Sequence, residues 1–202
     1  MACLINSGYT LGCRDNIGGV RRIYIASYDV FAEYTYAVID LDTNPPTAGT
    51  PSVGVPIPNS DITAKTTTAS AAESDYHTFE QETESASFSQ AGTYSTENGT
   101  VFFDQQIGLI FHKTSTALRN QLLILSQANL IAIVEDQRGQ FWLVGKENGL
   151  RAISGAMNTG KAFGDMNGAI ITLQGKESEP AFRIFADDEV DLVAAGFAIV
   201  AN

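Results

Sequence analysis

The chain has 202 residues, with 12 Lys and Arg against 23 Asp and Glu, and it carries a formal net charge of −11 although only 17% of its residues are charged. A typical globular domain has roughly 25% charged residues, so the acidity comes mainly from a shortage of basic residues. Since binding to phosphates depends on Lys and Arg, this composition argues against a protein that holds nucleic acid. The apolar content is ordinary, and we treat residues 1–202 as a single domain.

The sequence predicts a soluble protein made in a cytoplasm. It has no long apolar run that could span a membrane and no basic start followed by a clean apolar stretch, so neither a membrane partner nor a secretory signal is expected. Cys3 and Cys13 are the two cysteines, and reduced thiols are favoured over a disulfide. His77 and His112 follow no metal-binding spacing, so we expect ordinary strand or surface histidines and no metal site.

One stretch has the spacing of a phosphate-binding loop. Gly155–Lys161 fits GxxxxGK, but Ala162 stands where a magnesium-binding Ser or Thr is required. Residues 162–168 include two glycines and an asparagine, which favours a turn over the helix that such a loop needs. We therefore predict no nucleotide cofactor. A Ser-His-Asp arrangement stays open, but without a GxSxG motif we expect no enzyme and no catalytic residue.

The first part of the chain alternates between strand-forming and extended sequence. Gly19–Asp42 is rich in branched and aromatic residues and predicts two strands with a turn near residues 27–29. Thr43–Ala72 changes to Pro, Thr, Ser and Ala, which favours an extended arm or loop insertion over self-packed chain. Contact with a neighbouring subunit would give this arm structure. Its prolines, the candidate inter-subunit residues, are Pro45, Pro46, Pro51, Pro56 and Pro58.

The acidic residues are concentrated in one region. No Lys or Arg lies between Lys65 and Lys113, while that stretch holds seven acidic residues. If Tyr76–Ser89 is one strand, then three carboxylates spaced by two residues line one of its faces. Two interpretations stay open: a solvated outer face of a sheet, or a surface that faces a confined, water-filled, negatively charged space, and the missing basic residues favour the second. The three candidate residues are Glu80, Glu82 and Glu84.

The second half of the chain predicts strands around a single helix. A helix of about a dozen residues, capped by Ser115 or Thr114, has leucines at helical spacing. The acidic run near Asp187 lacks the order of a calcium-binding loop and is expected to form a turn. The pattern indicates a mainly β domain with one helix, a sandwich or partly closed barrel. The predicted strands are 101–112, 130–135 paired with 141–144 as a hairpin, 150–154, 168–174, 181–185 and 193–200.

Two stretches resemble a known family. The hairpin IAIVEDQRGQFWLVGKENG, a Gly/Asn/Thr loop and then FGDMNGAIITLQGKESEPAF are similar to the C-terminal half of the tail tube, or major tail, proteins of long-tailed bacteriophages, with Bacteroidetes-infecting phages among the candidates. The opening CLINSGYTLGCRDNIGGVRRIYI is similar to the start of such virion proteins. The resemblance covers residues 1–30 and 100–185 and consists of turn chemistry and strand pattern. The stretch 43–72 matches no motif of the family.

The resemblance implies a structural protein of the virion, assembled in the host cytoplasm. Copies would form rings, six to a ring, and the rings would stack into a hollow tail tube through which DNA passes without specific binding. The partners would be other copies of the chain and further tail or connector proteins. Glu80, Glu82 and Glu84 would face the lumen and make it acidic, and the 43–72 arm would contact a neighbouring subunit.

Two other functions remain open from the sequence. Another virion component, such as a head-decoration or tail-terminator protein, would form a single ring or isolated trimers. A carbohydrate-binding or adhesin-like β domain would need an exposed aromatic cluster, whereas Trp142 lies inside a predicted hairpin, where burial is expected.

Overall fold

The structure, a computed structural model, describes residues 17–28, 32–36, 39–40, 47–48, 62–66 and 75–200. This part of the chain is mainly β, with two helices and one sheet curled into a half-barrel. The helices are α1 (Thr116–Gln127) and α2 (Glu189–Ala194). The strands are β1 (Val20–Ser27), β2 (Glu33–Tyr36), β3 (Ile39–Asp40), β4 (Thr47–Ala48), β5 (Ile62–Thr66), β6 (Tyr76–Glu80), β7 (Ser87–Ser95), β8 (Thr100–His112), β9 (Leu130–Asp136), β10 (Phe141–Val144), β11 (Arg151–Asn158), β12 (Gly168–Glu177), β13 (Phe182–Ile184) and β14 (Ile199–Val200).

Two larger sheets form the body of the molecule. The eight-stranded sheet has the order β14-β6-β1-β9-β10-β13-β5-β2, and the four-stranded sheet has the order β11-β12-β8-β7. A third sheet consists of β3 and β4 alone. The four-stranded sheet is antiparallel throughout, and the eight-stranded sheet contains two parallel pairings, β13 with β5 and β14 with β6.

The central strands β1 and β9 are buried on both faces. On one face, residues such as Ile23 and Val134 pack with β8, β12 and α1 in a first core cluster. On the other face, Tyr24 and Ile133 pack in a second cluster that includes Leu192 of α2. A strand buried on both sides needs apolar residues at consecutive positions rather than at every second one. This explains the unbroken apolar run at the start of β9.

Several predicted elements are confirmed. Helix α1 begins after Ser115, whose hydroxyl accepts the Leu118 backbone N–H at 3.1 Å. The hairpin of β9 and β10 is present, and its turn is held by the Asp136 carboxylate, which accepts the backbone N–H groups of Arg138 and Gln140 at 2.8 and 2.9 Å. The strands predicted at 101–112 and 168–174 correspond to β8 and β12.

The prediction of a single helix was wrong. Part of the acidic segment expected to form a turn, together with the first two residues of the predicted last strand 193–200, forms α2, and only Ile199–Val200 of that strand is extended. The Asp188 side chain accepts the Asp191 backbone N–H at 2.9 Å and caps the helix, and two acidic residues occupy the first turn, where the helix dipole favours negative charge. Leu192 is the side chain of this helix that is buried in the core, whereas Val190 and Val193 are exposed.

The end of the predicted arm belongs to the main sheet. Strand β5 pairs with β2 and β13, and Ile62 is fully buried in the second core cluster. This part of 43–72 is therefore a component of the domain core, in contrast to the expectation of an arm. The five candidate prolines, and Cys3 and Cys13, lie outside the described residues.

Residues 76–89 do not form one strand, so the condition under which three carboxylates would line one strand face is not met. Strand β6 ends at Glu80, and a turn follows in which Ser85 donates its backbone N–H and its hydroxyl to the Glu82 carbonyl at 3.1 and 2.5 Å. Glu84 adopts a left-handed conformation at φ 65°, which a strand does not allow. The turn is needed because the chain leaves the eight-stranded sheet here and enters the four-stranded sheet as β7. The carboxylates of Glu80, Glu82 and Glu84 are exposed but do not share a strand face.

The two-sided burial of β9 predicts a large loss of stability on truncation. Ile133→Ala should lower the free energy of unfolding by about 2–5 kcal/mol, because it removes buried methyl groups and leaves a cavity. Ile124→Ala, at a side chain that is 63% exposed on α1, is the matched control and should change it by less than about 0.5 kcal/mol. Urea unfolding measures both. Equal losses in the two variants would contradict the assignment of β9 to the core.

Candidate functional site

The four-stranded sheet ends in two long strands that have one neighbour each. Strand β7 has nine residues and β11 has eight, and within the described part of the chain neither has a second strand beside it. Exposed edges of folded proteins usually contain proline or charged residues that prevent pairing with another chain. Strand β7 has neither, and β11 has only Arg151, at its first position, next to a bulge between Ala152 and Ser154. These two edges are therefore suited to pair with another chain.

The hydrogen bonds of β8 show which backbone groups point towards these edges. The Ile110 N–H points to the β7 side, where it donates to the Gln81 side chain at 3.1 Å, and the Lys113 N–H points to the β12 side, where it donates to the Asn167 carbonyl at 2.8 Å. Because successive residues of a strand direct these groups to opposite sides, even-numbered residues of β8 bond to β7 and odd-numbered ones bond to β12. Because the pairing of β8 with β7 and with β12 is unbroken, the same alternation assigns the direction of the backbone groups on those two strands.

The alternation identifies the free backbone groups of both edges. On β7, Ser89 and Ala91 pair with even-numbered residues of β8 and direct their backbone groups to β8. The residues before and after each of them on β7 therefore direct their N–H and C=O groups to the open side. On β11, Ala156 and Asn158 pair with even-numbered residues of β12 in the same way. The residues directed to the open edges are Phe88, Gln90, Gly92 and Tyr94 on β7 and Gly155 and Met157 on β11.

The face of this sheet that points away from the core is polar and nearly uncharged. Hydroxyl, amide and small side chains cover most of it, and its single carboxylate, on Asp104, lies 2.6 Å from the Gln174 amide nitrogen. The register places on this face Ser87, Ser89, Ala91, Thr93, Phe102, Asp104, Gln106, Gly108, Ile110, His112, Arg151, Ser154, Ala156, Asn158, Gly168, Ile170, Thr172, Gln174 and Lys176.

A hairpin projects from each end of the sheet. At one end, β12 stops where Glu177 pairs with Phe103, so the tip of the β7–β8 hairpin continues beyond it. At the other end, β12 starts where Gly168 pairs with His112, and the loop of residues 159–167 extends past that point. The two projections lie at opposite ends of the strand direction.

The loop of residues 159–167 has an ordered internal structure. The Asp165 carboxylate accepts the backbone N–H groups of Lys161 and Ala162, both at 2.8 Å, and these bonds hold the pKa of Asp165 below its ordinary value of 3.8. The Asn167 side chain accepts the Thr114 hydroxyl at 2.8 Å. The turn predicted here is confirmed, and strand β12 follows it where a phosphate-binding loop would have a helix.

The opposite end of the sheet is held by a buried carboxylate. Glu177 accepts the backbone N–H groups of Glu147 and Asn148 at 2.9 and 3.1 Å and so binds the loop between β10 and β11 to β12. Burial is the main cause that raises the pKa of Glu177 above its ordinary value of 4.5, and the two N–H groups oppose it. The Tyr28 hydroxyl also donates to the Glu147 carbonyl.

The other residues singled out from the sequence lie at separate places. Glu80 and Glu82 border a shallow pocket with His112 and Lys113, next to the start of α1. His77 is exposed on β6. Trp142 is half-buried against the first core cluster, with its indole N–H 3.4 Å from the Asp136 carboxylate. The open edges were missed, although the uncharged alternation of SFSQAGTYS was visible in the sequence.

The described residues contain neither a metal-binding group nor a membrane-spanning helix. No group of three or more His, Cys, Asp or Glu there is placed to hold a metal ion. No helix within the described ranges is long and apolar enough to cross a membrane. Comparison of the chain with protein-family models, with curated proteins and with solved structures found no match.

The raised pKa of Glu177 predicts a pH-dependent difference between the protein and its Glu177→Gln variant. Between the unfolded pKa of Glu177 and its raised folded-state pKa, the folded state binds more protons than the unfolded state. The stability of the wild type relative to the variant should therefore fall as pH rises from about 4.5 through the raised pKa. Urea unfolding from pH 4 to pH 7 measures the difference. A constant difference, or one that grows in favour of the wild type, would contradict the burial of a charged Glu177.

Proposed function

We propose that this chain is a tail tube protein of a long-tailed bacteriophage, which assembles into rings that stack into a hollow tube for DNA passage. The observation that carries this proposal is the four-stranded sheet, whose two edge strands have no further strand beside them among the described residues, lack proline and are nearly free of charge. The sequence resemblance stated above supports the same function and implies six copies to a ring. Assembly in the host cytoplasm and contact with other tail or connector proteins are parts of the proposal.

The direction of the edge strands supports closure into a ring. All neighbouring strands of the sheet are antiparallel, so β7 and β11, at positions four and one, run in opposite directions. When β7 of one copy lies beside β11 of an identically oriented second copy, the pairing is again antiparallel. Such a head-to-tail contact uses two different surfaces. It generates a closed ring if the rotation angle between neighbouring copies is a whole-number fraction of a full turn.

The outward face of the sheet suits the wall of a channel for DNA. In a closed ring this face would line the inside, while the eight-stranded sheet would lie outside it. Amide and hydroxyl groups offer DNA neither a row of cations to bind nor a strong repulsive field. Glu80 and Glu82, beside His112, would lie at the end of this wall and so at the opening of the ring. The overall negative charge also disfavours binding to phosphates.

Electron microscopy of the purified protein at increasing concentration tests the proposal. We expect rings at intermediate concentration and hollow tubes at high concentration. A species that stays monomeric at every concentration would contradict the proposal, and single rings that never stack would favour a tail-terminator protein.

The edge geometry predicts that a proline can block assembly without unfolding the chain. Met157→Pro removes an N–H that points to the open edge of β11 and leaves the bonds to β12 intact, so the free energy of unfolding should change by about 1 kcal/mol or less while rings are lost. Unfolding in urea and electron microscopy give the two readouts.

Two control variants separate edge pairing from folding. Met157→Leu keeps the N–H and should assemble as the wild type does. Ala156→Pro removes an N–H that bonds to β12 and should destabilise the fold itself. Normal rings from Met157→Pro would contradict the pairing of this edge with a second copy.

A further inference from the structure

We propose that Phe163 is the anchor of the contact between stacked rings, and that its ring packs on the tip of the β7–β8 hairpin of a second copy. This inference rests on the proposed function, because it assumes rings that stack. It assigns the end-to-end contact to one loop and one hairpin, whereas the edges of β7 and β11 serve the contacts within a ring.

Phe163 lies fully exposed in the loop of residues 159–167. Burying an exposed phenylalanine ring against a partner gains free energy because apolar surface leaves water. Buried aromatic side chains often contribute a large share of the binding free energy of an interface. The loop around it is already ordered by Asp165 and Asn167. Little conformational entropy is therefore lost when a partner binds the ring, which is the property of a preorganised anchor.

The opposite end of the sheet offers an ordered apolar patch. Tyr94 and Val101 form a cross-strand pair near the tip of the hairpin, and the Tyr94 side chain is 69% exposed. Its ring lies over Gly92, where a Cβ would come within 2.5 Å of the hydroxyl oxygen, and it meets Phe103 edge to face at 6.4 Å. The patch lies on the same side of the sheet as the core but beyond β12, where the sandwich no longer covers it.

The geometry of the sheet points to a second copy as the partner of this patch. The loop and the hairpin lie at opposite ends of one sheet along the strand direction, so stacking two copies end to end brings one towards the other. At the loop end, exposed Lys161 lies two residues from Phe163, and exposed Lys113 lies among the exposed carboxylates of Asp165, Glu80 and Glu82, whereas exposed Glu97 is the charged residue of the hairpin tip. The hairpins are offset by about two strand spacings, roughly 10 Å, which a rotation between successive rings can accommodate.

The variant Phe163→Ser tests the anchor. We expect it to form rings as the wild type does, but to need a roughly ten- to hundredfold higher concentration for tubes, the effect of losing one buried aromatic side chain. Val190→Ser, at a side chain that is 73% exposed on α2, is the matched control and should form tubes at the wild-type concentration. Circular dichroism should show an unchanged fold for both, because both side chains lie in water.

The outcomes separate this inference from the proposed function. Tubes from Phe163→Ser at the wild-type concentration would overturn the inference and leave the proposed function intact. Absence of rings in the wild type would overturn the proposed function, and the inference with it.

A charge exchange tests the same contact through different residues. Glu97→Lys and Lys161→Glu should each raise the concentration needed for tubes, because each places like charges across the contact. The double variant should return it towards the wild-type value. A double variant that assembles no better than the single variants would overturn the placement of the loop against the hairpin.

Discussion

The burial of β1 and β9 on both faces determines the layout of the rest of the molecule. One face is covered by the four-stranded sheet and α1, and the other by the curled remainder of the eight-stranded sheet with α2. Because the core needs only one face of the four-stranded sheet, the described part of the chain leaves its other face and both edge strands without a covering element. A core built in this way explains how a stable domain can present a sheet with open hydrogen-bonding groups.

The buried and exposed polar groups of the four-stranded sheet have different roles in this account. Glu177 and Asp165 satisfy backbone N–H groups and fix the loops at its two ends, so that the projecting segments have defined shapes. Along the strands, Gln174 donates to Asp104, Arg151 and Lys176 are the cations of the outward face, and most of its other side chains are uncharged. The net charge of −11 first argued against nucleic-acid binding. The structure adds that the proposed channel wall is close to neutral, with the glutamates at its end.

Local patterns predicted the elements whose partners are close in sequence. Ser115 before a leucine stripe predicted α1, and the turn after Asp136 predicted the hairpin of β9 and β10. The errors concern segments whose structure depends on distant contacts. Leu192 is buried in the core beside residues from β1 and β9, so the segment predicted as an acidic turn and the first two residues of the predicted last strand form a helix instead. The turn at Glu84 exists because the chain changes sheets. The uncharged pattern of β7 is visible in the sequence, but its place at a sheet edge is not, because strand order is set by pairings between distant segments.

Hydrogen exchange of single backbone amides gives the most direct test of the central claim, that the edges of β7 and β11 join neighbouring copies. In dilute protein the N–H groups of Gln90, Gly155 and Met157 should exchange rapidly, since they point to the open edges. In assembled protein the account predicts strong protection of these amides, with little change at Ala156, which already bonds to β12. Equal exchange of the edge amides in the dilute and assembled states would contradict it.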